Sequence, residues 1–262
     1  LGAPMPLAAN WLMPRLPQLM ADLPALDIDI VPVDVALTLA DRRVDLWIFD
    51  EAHLAPIESV LETSLHSEER ARAQRLILAE DGRRFTLFRG AMRCALARYL
   101  GAIRPDSIIF SYGARGKPAL LHPNAIQFNL SHAGDRMALA VSHHPVGVDI
   151  ETMDRKTDVV SVAARFFHSG ETDYQNRLPP EQRRRLFFRW WTAKESALKA
   201  WGVGLGNEKD YPDFSLWPSG TTARIVSTSP EHSNLIRAFP EASAWAGALV
   251  TDNSVEELVV RD

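Results

Sequence analysis

The stretch VGVDIE, residues 146–151, sets Asp149 and Glu151 at alternate positions, so that on a strand both carboxylates point to one face. Taken alone, such a pair reads as the polar face of an exposed strand. Farther along, WTAKESALKAWG places Lys194, Glu195 and Lys199 within an otherwise apolar run. If Glu195 meets Asp149 and Glu151, each pair of like charges at about 4 Å costs roughly 4 kcal/mol at an effective dielectric near 20. Three carboxylates together then require protons or a cation. Oxygen-only donors favour Mg2+, which retains waters and commonly binds phosphates as well. No zinc pattern is present: His143 and His144 are neighbours on an expected strand, their rings facing opposite ways.

The same helix also has a purely structural reading. Thr192 followed three residues later by Glu195 fits a capping box. Glu195 and Lys199 form an i,i+4 pair worth about 0.2–0.5 kcal/mol. Gly202 is a stop that favours a left-handed conformation.

Groups suited to anions lie upstream. Arg70, Arg72, Arg75, Arg83, Arg84, Arg89, Arg93 and Arg98 crowd two expected helices. Most of these read as solvated surface, while a few have the bidentate geometry that grips phosphate. The turn GARGKPAL adds Arg115 and Lys117 beside exposed backbone amides. In FNLSHAGD, Ser131 and His132 are strand neighbours facing opposite ways, which excludes a catalytic Ser–His pair and leaves polar contact or solvation.

The elements that position these groups follow from spacing. VDLWIFD reads as a strand, and SEERARAQRLILAEDGRRFTLFRGAMRCALARYLG as two helices, the second capped by Asp81 and ended by Gly101. Phe85, Phe88, Met92, Leu96 and Tyr99 give that second helix an apolar stripe. SIIFSY, IQFNLSH, MALAVSH and VGVDIE follow as short strands. DVVSVAARFFHSGE and PPEQRRRLFFRWWTAKESALKAWG are then helical, and TARIVSTS, AWAGALVT and EELVVRD are strands. Helices followed by strands, twice over, indicate an α+β protein of two similar halves. The halves are 44–146 and 147–262, with a boundary near Pro145 to Val148. Residues 1–43 are an extension of unassigned role, broken by prolines, in which DIDIVPVDV suits an edge strand.

With 262 residues and 46% hydrophobic content the chain can bury a substantial core. A net charge of -4 argues against general nucleic-acid binding. The single cysteine, Cys94, forms no intramolecular disulfide and sits in a helical pattern as a buried side chain. No apolar run approaches the ~20 residues that span a bilayer, and no secretory signal is evident, so a cytoplasmic enzyme without a membrane partner is expected.

In order, GKP at 116–118, FNLSH at 128–132, VGVDIE at 146–151, RFF followed by Glu171, and WTAKESALKAWGVGL at 191–205 resemble the signature series of Sfp-type 4′-phosphopantetheinyl transferases. The resemblance runs from about Val44 to the C-terminus. It implies transfer of the 4′-phosphopantetheine arm of coenzyme A to a serine of an apo carrier protein (acyl, polyketide or peptidyl), with adenosine 3′,5′-bisphosphate released. It further implies a pseudo-dimer of two α+β halves with coenzyme A and Mg2+ in the cleft between them. Residue by residue it assigns Mg2+ to Asp149, Glu151 and Glu195. It places Lys117, Pro118, Ser131, His132 and Arg84 at coenzyme A, with upstream contacts near Arg70 and Arg72. Lys199 is expected at the phosphates with Lys194 nearby, and Glu171 at a further acidic position in the cleft. Glu195, Glu171 or a metal-bound water is then the base. Two fused halves making their own cleft predict a monomer. A coenzyme A-holding module without turnover and a nucleic-acid binder using the arginine helices are the rival readings.

Overall fold

The computed structural model describes residues 36–113, 116–123, 126–203, the strand backbones 214–219, 222–227 and 235–238, and residues 244–251 and 254–261. Most of the N-terminal extension, including DIDIVPVDV, and Arg115 lie outside the described residues. The protein is of mixed α+β class, and its chain separates into two compact units. One is built mainly from Phe49–Ile109, the other from Ala40–Ile48, Phe110–Leu120 and Ala125–Asp262.

The first unit is helical. Helix α1, Glu51–Leu54, is capped by the Asp50 side chain, which accepts from the Ala52 amide at 2.9 Å. After a 3₁₀ turn at Ala55–Ile57 come α2, Glu58–Thr63, and α3, Ser67–Gln74. The α3 terminus is a capping box in which Glu69 accepts from the His66 amide at 3.0 Å. The long α4, Ala79–Tyr99, buries Phe88, Met92 and Leu96 as its spacing predicts, and Leu87, Ala91 and Ala95 widen the stripe. Its cap position is Leu78, not Asp81, which instead lies in the first turn, where its charge faces the positive end of the helix. At Gly90 a Cβ would stand 2.6 Å from the Leu61 carbonyl oxygen, so the absent side chain is what lets α2 lie against α4.

The arginines of this unit are less solvated than expected. Arg83 and Arg84 share Glu51, and Arg89 and Arg93 share Glu69. Arg93 is buried and also donates to the Pro105 and Ile108 carbonyls, at 2.6 and 3.1 Å.

The second unit carries the strands. One sheet has the order β11-β1-β5-β4, formed by β1 (Arg43–Asp50), β4 (Gln127–Ala133), β5 (Arg136–Ser142) and β11 (Glu257–Arg261). In it β1 runs parallel to β11, and β4 and β5 form an antiparallel hairpin. A second sheet, β6-β10-β9-β8-β7, comprises β6 (Val146–Thr152), β7 (Phe214–Ser219), β8 (Thr222–Ser227), β9 (Leu235–Ala238) and β10 (Trp245–Thr251). A small hairpin pairs β2, Phe110–Tyr112, with β3, Pro118–Leu120. His143 and His144 fall in the turn between β5 and β6 rather than on a strand.

Alternation along β6 assigns its two faces. Val146, Val148 and Ile150 join Val44, Leu46, Ala138, Ala140 and Leu249 in one core cluster. Gly147, Asp149 and Glu151 face the other way. Three helices accompany that side: α5 (Val159–Phe166), α6 (Ser169–Asn176) and α7 (Pro180–Trp201). Phe187, Phe188, Trp190, Ala193 and Ala197 of α7 pack with Ala246, Ala248 and Val250 of β10. The Thr192–Glu195 capping box does not form, because α7 starts twelve residues earlier, at Pro180, and Thr192 is mid-helix. Its hydroxyl donates back to the Phe188 and Arg189 carbonyls, at 3.0 and 3.1 Å. Gly202 ends the helix at φ 73°, as expected.

Candidate functional site

Close approach of α7 to β6 builds the site. A Cβ on Gly147 would stand 1.9 Å from the Ser196 carbonyl oxygen and 2.5 Å from the Ala200 nitrogen. Only glycine admits the helix at this distance. One helical turn around that contact carries Glu195 and Lys199, and Ser196 Oγ fastens the helix to the sheet by donating to the Ala248 carbonyl at 2.8 Å.

At the centre is Asp149. Lys199 Nζ donates to Asp149 Oδ1 at 2.6 Å, to Ser131 Oγ at 3.0 Å and to the Val148 carbonyl at 3.2 Å. Ser131 Oγ donates to the same Asp149 oxygen at 2.7 Å. The other oxygen, Asp149 Oδ2, is buried without a hydrogen-bond partner among the described residues, and so is Glu195 Oε1. Burial pushes the Asp149 carboxyl up from its ordinary value, although Lys199 and Ser131 pull against it. Glu151 is raised by burial and by the Asp149 charge, with Arg155 3.1 Å away opposing. Glu195 is pushed up to about 7 by burial first, then by Asp149. The three carboxylates therefore share one field.

They are not drawn to one point. Among the described residues no three His, Cys, Asp or Glu side chains form a group able to hold a metal ion. Like charges repel, and the Lys199 ammonium takes up one Asp149 oxygen. The donor set nevertheless fits a hard divalent cation. All its donors are oxygens, and two of them are buried carboxylate oxygens without partners, an arrangement that costs free energy unless a cation or proton arrives.

The other predicted residues make contacts of their own. Lys194 and Glu171 form their own buried pair at 3.1 Å, with Nζ 5.4 Å from the centre of the Phe167 ring. Glu171 also caps α6 by accepting from the His168 amide at 2.8 Å. Lys117 Nζ donates to the Lys199 carbonyl at 2.5 Å, a cation at the C-terminal end of α7 where the helix dipole favours one, and burial lowers its pKa. Pro118 opens β3 opposite Tyr112. Ser131 is buried and His132 exposed, on opposite faces of β4 as expected. Arg84, in the first unit, donates to Glu51 at 2.9 Å and Glu80 at 3.0 Å. Arg70 donates to the Leu65 carbonyl at 2.6 Å, and Arg72 lies 5.2 Å from the centre of the Phe85 ring. Two residues of consequence escaped the sequence reading, Gly147 and Asn129. The N in FNLSH was the available signal for Asn129, a buried amide two residues from Ser131.

Comparison with known proteins agrees along the chain. A family profile described as 4′-phosphopantetheinyl transferase superfamily matches residues 145–249, and one described as 4′-phosphopantetheinyl transferase, N-terminal, matches residues 55–144. The chain is 36% identical to the 4′-phosphopantetheinyl transferase HetI of Nostoc over 227 residues, covering 84% of this chain and 92% of that protein. It is similar to psf-1 of Bacillus pumilus, at 36% identity over 53% of this chain and 58% of the relative. A Bacillus subtilis 4′-phosphopantetheinyl transferase matches at 32% over 56% of this chain and 65% of its own length.

Proposed function

The chain belongs to the 4′-phosphopantetheinyl transferase family, and from that premise we propose how its residues divide the work. It is a transferase that moves the 4′-phosphopantetheine of coenzyme A to a serine of an apo carrier protein and releases adenosine 3′,5′-bisphosphate. Asp149, Glu151 and Glu195 hold Mg2+. The observation that carries this reading is the pair of buried carboxylate oxygens, Asp149 Oδ2 and Glu195 Oε1, that have no hydrogen-bond partner among the described residues. When bound, the cation neutralises charge that shifts onto the leaving phosphate.

The protein's own groups supply the rest. Lys199, already 3.0 Å from Ser131 and with its side chain 27% exposed, offers an ammonium to the phosphates once Asp149 has a stronger partner. Lys117, Pro118, Ser131 and His132 line the coenzyme A pocket, and Arg84 takes its 3′-phosphate, exchanging Glu51 or Glu80 for it. Glu195 is offered as base for the carrier serine through a carboxylate oxygen that does not hold the cation. Glu171 and Lys194, closed on each other, act by holding α6 to α7 rather than at the reacting atoms. The pseudo-dimer of halves 44–146 and 147–262 around a cleft belongs to the same proposal. It is supported by the chain order, in which a 21-residue and a 22-residue helix each precede strands. A monomer is expected in solution. Among the described residues no helix is long and apolar enough to cross a membrane.

The test is mass spectrometry of an apo carrier protein incubated with the protein, coenzyme A and Mg2+, beside an EDTA control. A gain of one phosphopantetheine, lost with EDTA, is expected. A gain that survives EDTA would remove the metal assignment.

A further inference from the structure

β6 is the edge strand of its sheet, with β10 on one side and no strand of that sheet on the other. Buried backbone groups along such an edge must find partners elsewhere. At Val148, which is fully buried, both are taken by side chains. The amide donates to Asn129 Oδ1 at 2.8 Å, and the carbonyl accepts from Lys199 Nζ at 3.2 Å. Asn129 is itself buried on β4, two positions before Ser131, so the two side chains leave the same face of that strand. Ser131 then reaches the next residue of β6, Asp149, at 2.7 Å. One face of β4 thus holds two consecutive residues of β6, Asn129 by the backbone and Ser131 by the carboxylate.

We propose that Asn129 is a positioning residue for the transfer: by holding the Val148 amide it fixes the β6 backbone so that Asp149 presents Oδ2 to the cation while Oδ1 stays on Ser131 and Lys199. Ser131 binds only a carboxylate oxygen, which rotates about χ1 and χ2, whereas Lys199 also takes the Val148 carbonyl. The Asn129 bond holds the Val148 amide, the backbone donor next to Asp149, and so adds to the β10 ladder and the Lys199 contact in fixing the main chain from which Asp149 projects. Without it the Val148 amide is a buried donor with no acceptor, and the strand must shift to find one. The asparagine touches neither substrate nor cation and acts through Asp149. This inference rests on the reading of Asp149 as a cation ligand.

The experiment uses the full chain as wild type, Asn129→Ala, Asn129→Asp and Asp149→Asn. Each is titrated with Mn2+ by calorimetry, and its transfer rate is followed against Mg2+ and against coenzyme A. Asn129→Ala should bind Mn2+ about 10-fold more weakly, the lower end of what residues supporting a metal ligand typically contribute. It should need correspondingly more Mg2+ for half-maximal rate, with its KM for coenzyme A unchanged. Asn129→Asp keeps an acceptor in place of Oδ1 and should restore Mn2+ binding toward wild type. A purely structural asparagine would lower the melting temperature and leave the metal dependence where it was, and that result with Asn129→Ala overturns the inference. If Asn129→Ala does not fold, Asn129→Asp decides: binding near wild type supports the role, and loss comparable to Asp149→Asn overturns it. If wild type binds Mn2+ no better than Asp149→Asn, the cation reading falls and takes this inference with it. A wild-type protein that does bind, beside an indifferent Asn129→Ala, removes the inference alone.

Discussion

Lys194 and Lys199 leave the same helix, each meets a carboxylate, and the two pairs come out differently. Lys194 and Glu171 are almost completely buried, with side chains 1% and 2% exposed, and Glu171 is further occupied by the His168 amide. Lys199 keeps 27% of its side chain exposed, and its partner Asp149 retains a buried oxygen with no hydrogen-bond partner among the described residues. The first pair is closed and has no capacity left for a ligand. The second is open, with an ammonium near solvent and a carboxylate oxygen in reserve. Residue type alone does not separate structure from chemistry here; solvent access and unused hydrogen-bonding capacity do.

The largest effect expected from breaking this contrast is on stability. Glu171→Ala leaves Lys194 as an uncompensated buried charge and should destabilise the protein by about 3–5 kcal/mol, read from urea unfolding. If the variant unfolds like wild type, the pair is not the closed clamp described. Next comes Asp149→Ala, which should lower the transfer rate by at least ~10²-fold while thermal unfolding changes little. Near-normal turnover would move the chemistry away from the open pair. Gly147→Ala pushes a methyl into the backbone of α7 and should cost about 1–3 kcal/mol. It should also reduce transfer, since Glu195 and Lys199 move with the helix; a crystal structure with the helix unmoved would contradict this.

The smallest effect concerns a third cluster, closed like the first, Glu69 with Arg89 and Arg93. Burial alone would raise the Glu69 pKa, but the hydrogen bonds and charges of Arg93 and Arg89 outweigh it and hold the group below its ordinary 4.5. A depressed carboxylate contributes stability that is complete above the unfolded pKa and is lost as pH falls through the folded one. Melting temperatures should therefore show this contribution intact above about pH 4.5 and fading below it, and a Glu69→Gln variant should lack that part of the acid sensitivity.

What the sequence made legible is what periodicity and local chemistry control. VGVDIE announced both its strand and the shared face of Asp149 and Glu151, and Gly202 announced the end of α7. Opposite faces for Ser131 and His132 follow from a period of two. The misreadings were of extent and surroundings. A Thr-x-x-Glu spacing occurs inside helices as well as at their ends, and only Pro180 marks where α7 starts. The strands at Phe214–Ser219 and Leu235–Ala238 were not anticipated, the first containing a proline, Pro218. Gly147 and Asn129 matter because of what another segment does near them, α7 at Ser196 and Ala200 for the first and β6 at Val148 for the second, which no local pattern encodes. That Glu171 engages Lys194 while Asp149 engages Lys199 is likewise a tertiary fact.

The parallel pairing of β1 with β11 has a consequence for folding kinetics. Arg43 lies opposite Glu257, and the buried carboxylate of Asp45 receives Arg261 Nε at 2.9 Å. During synthesis, β1 leaves the ribosome long before its partner strand exists, and closing so long a loop is entropically slow. Until then the ribosome-bound chain has an unpaired hydrophobic strand edge that carries the Arg43–Asp45 ion pair without Arg261, which makes the interval before residues 257–261 emerge one of exposure to aggregation and to chaperones.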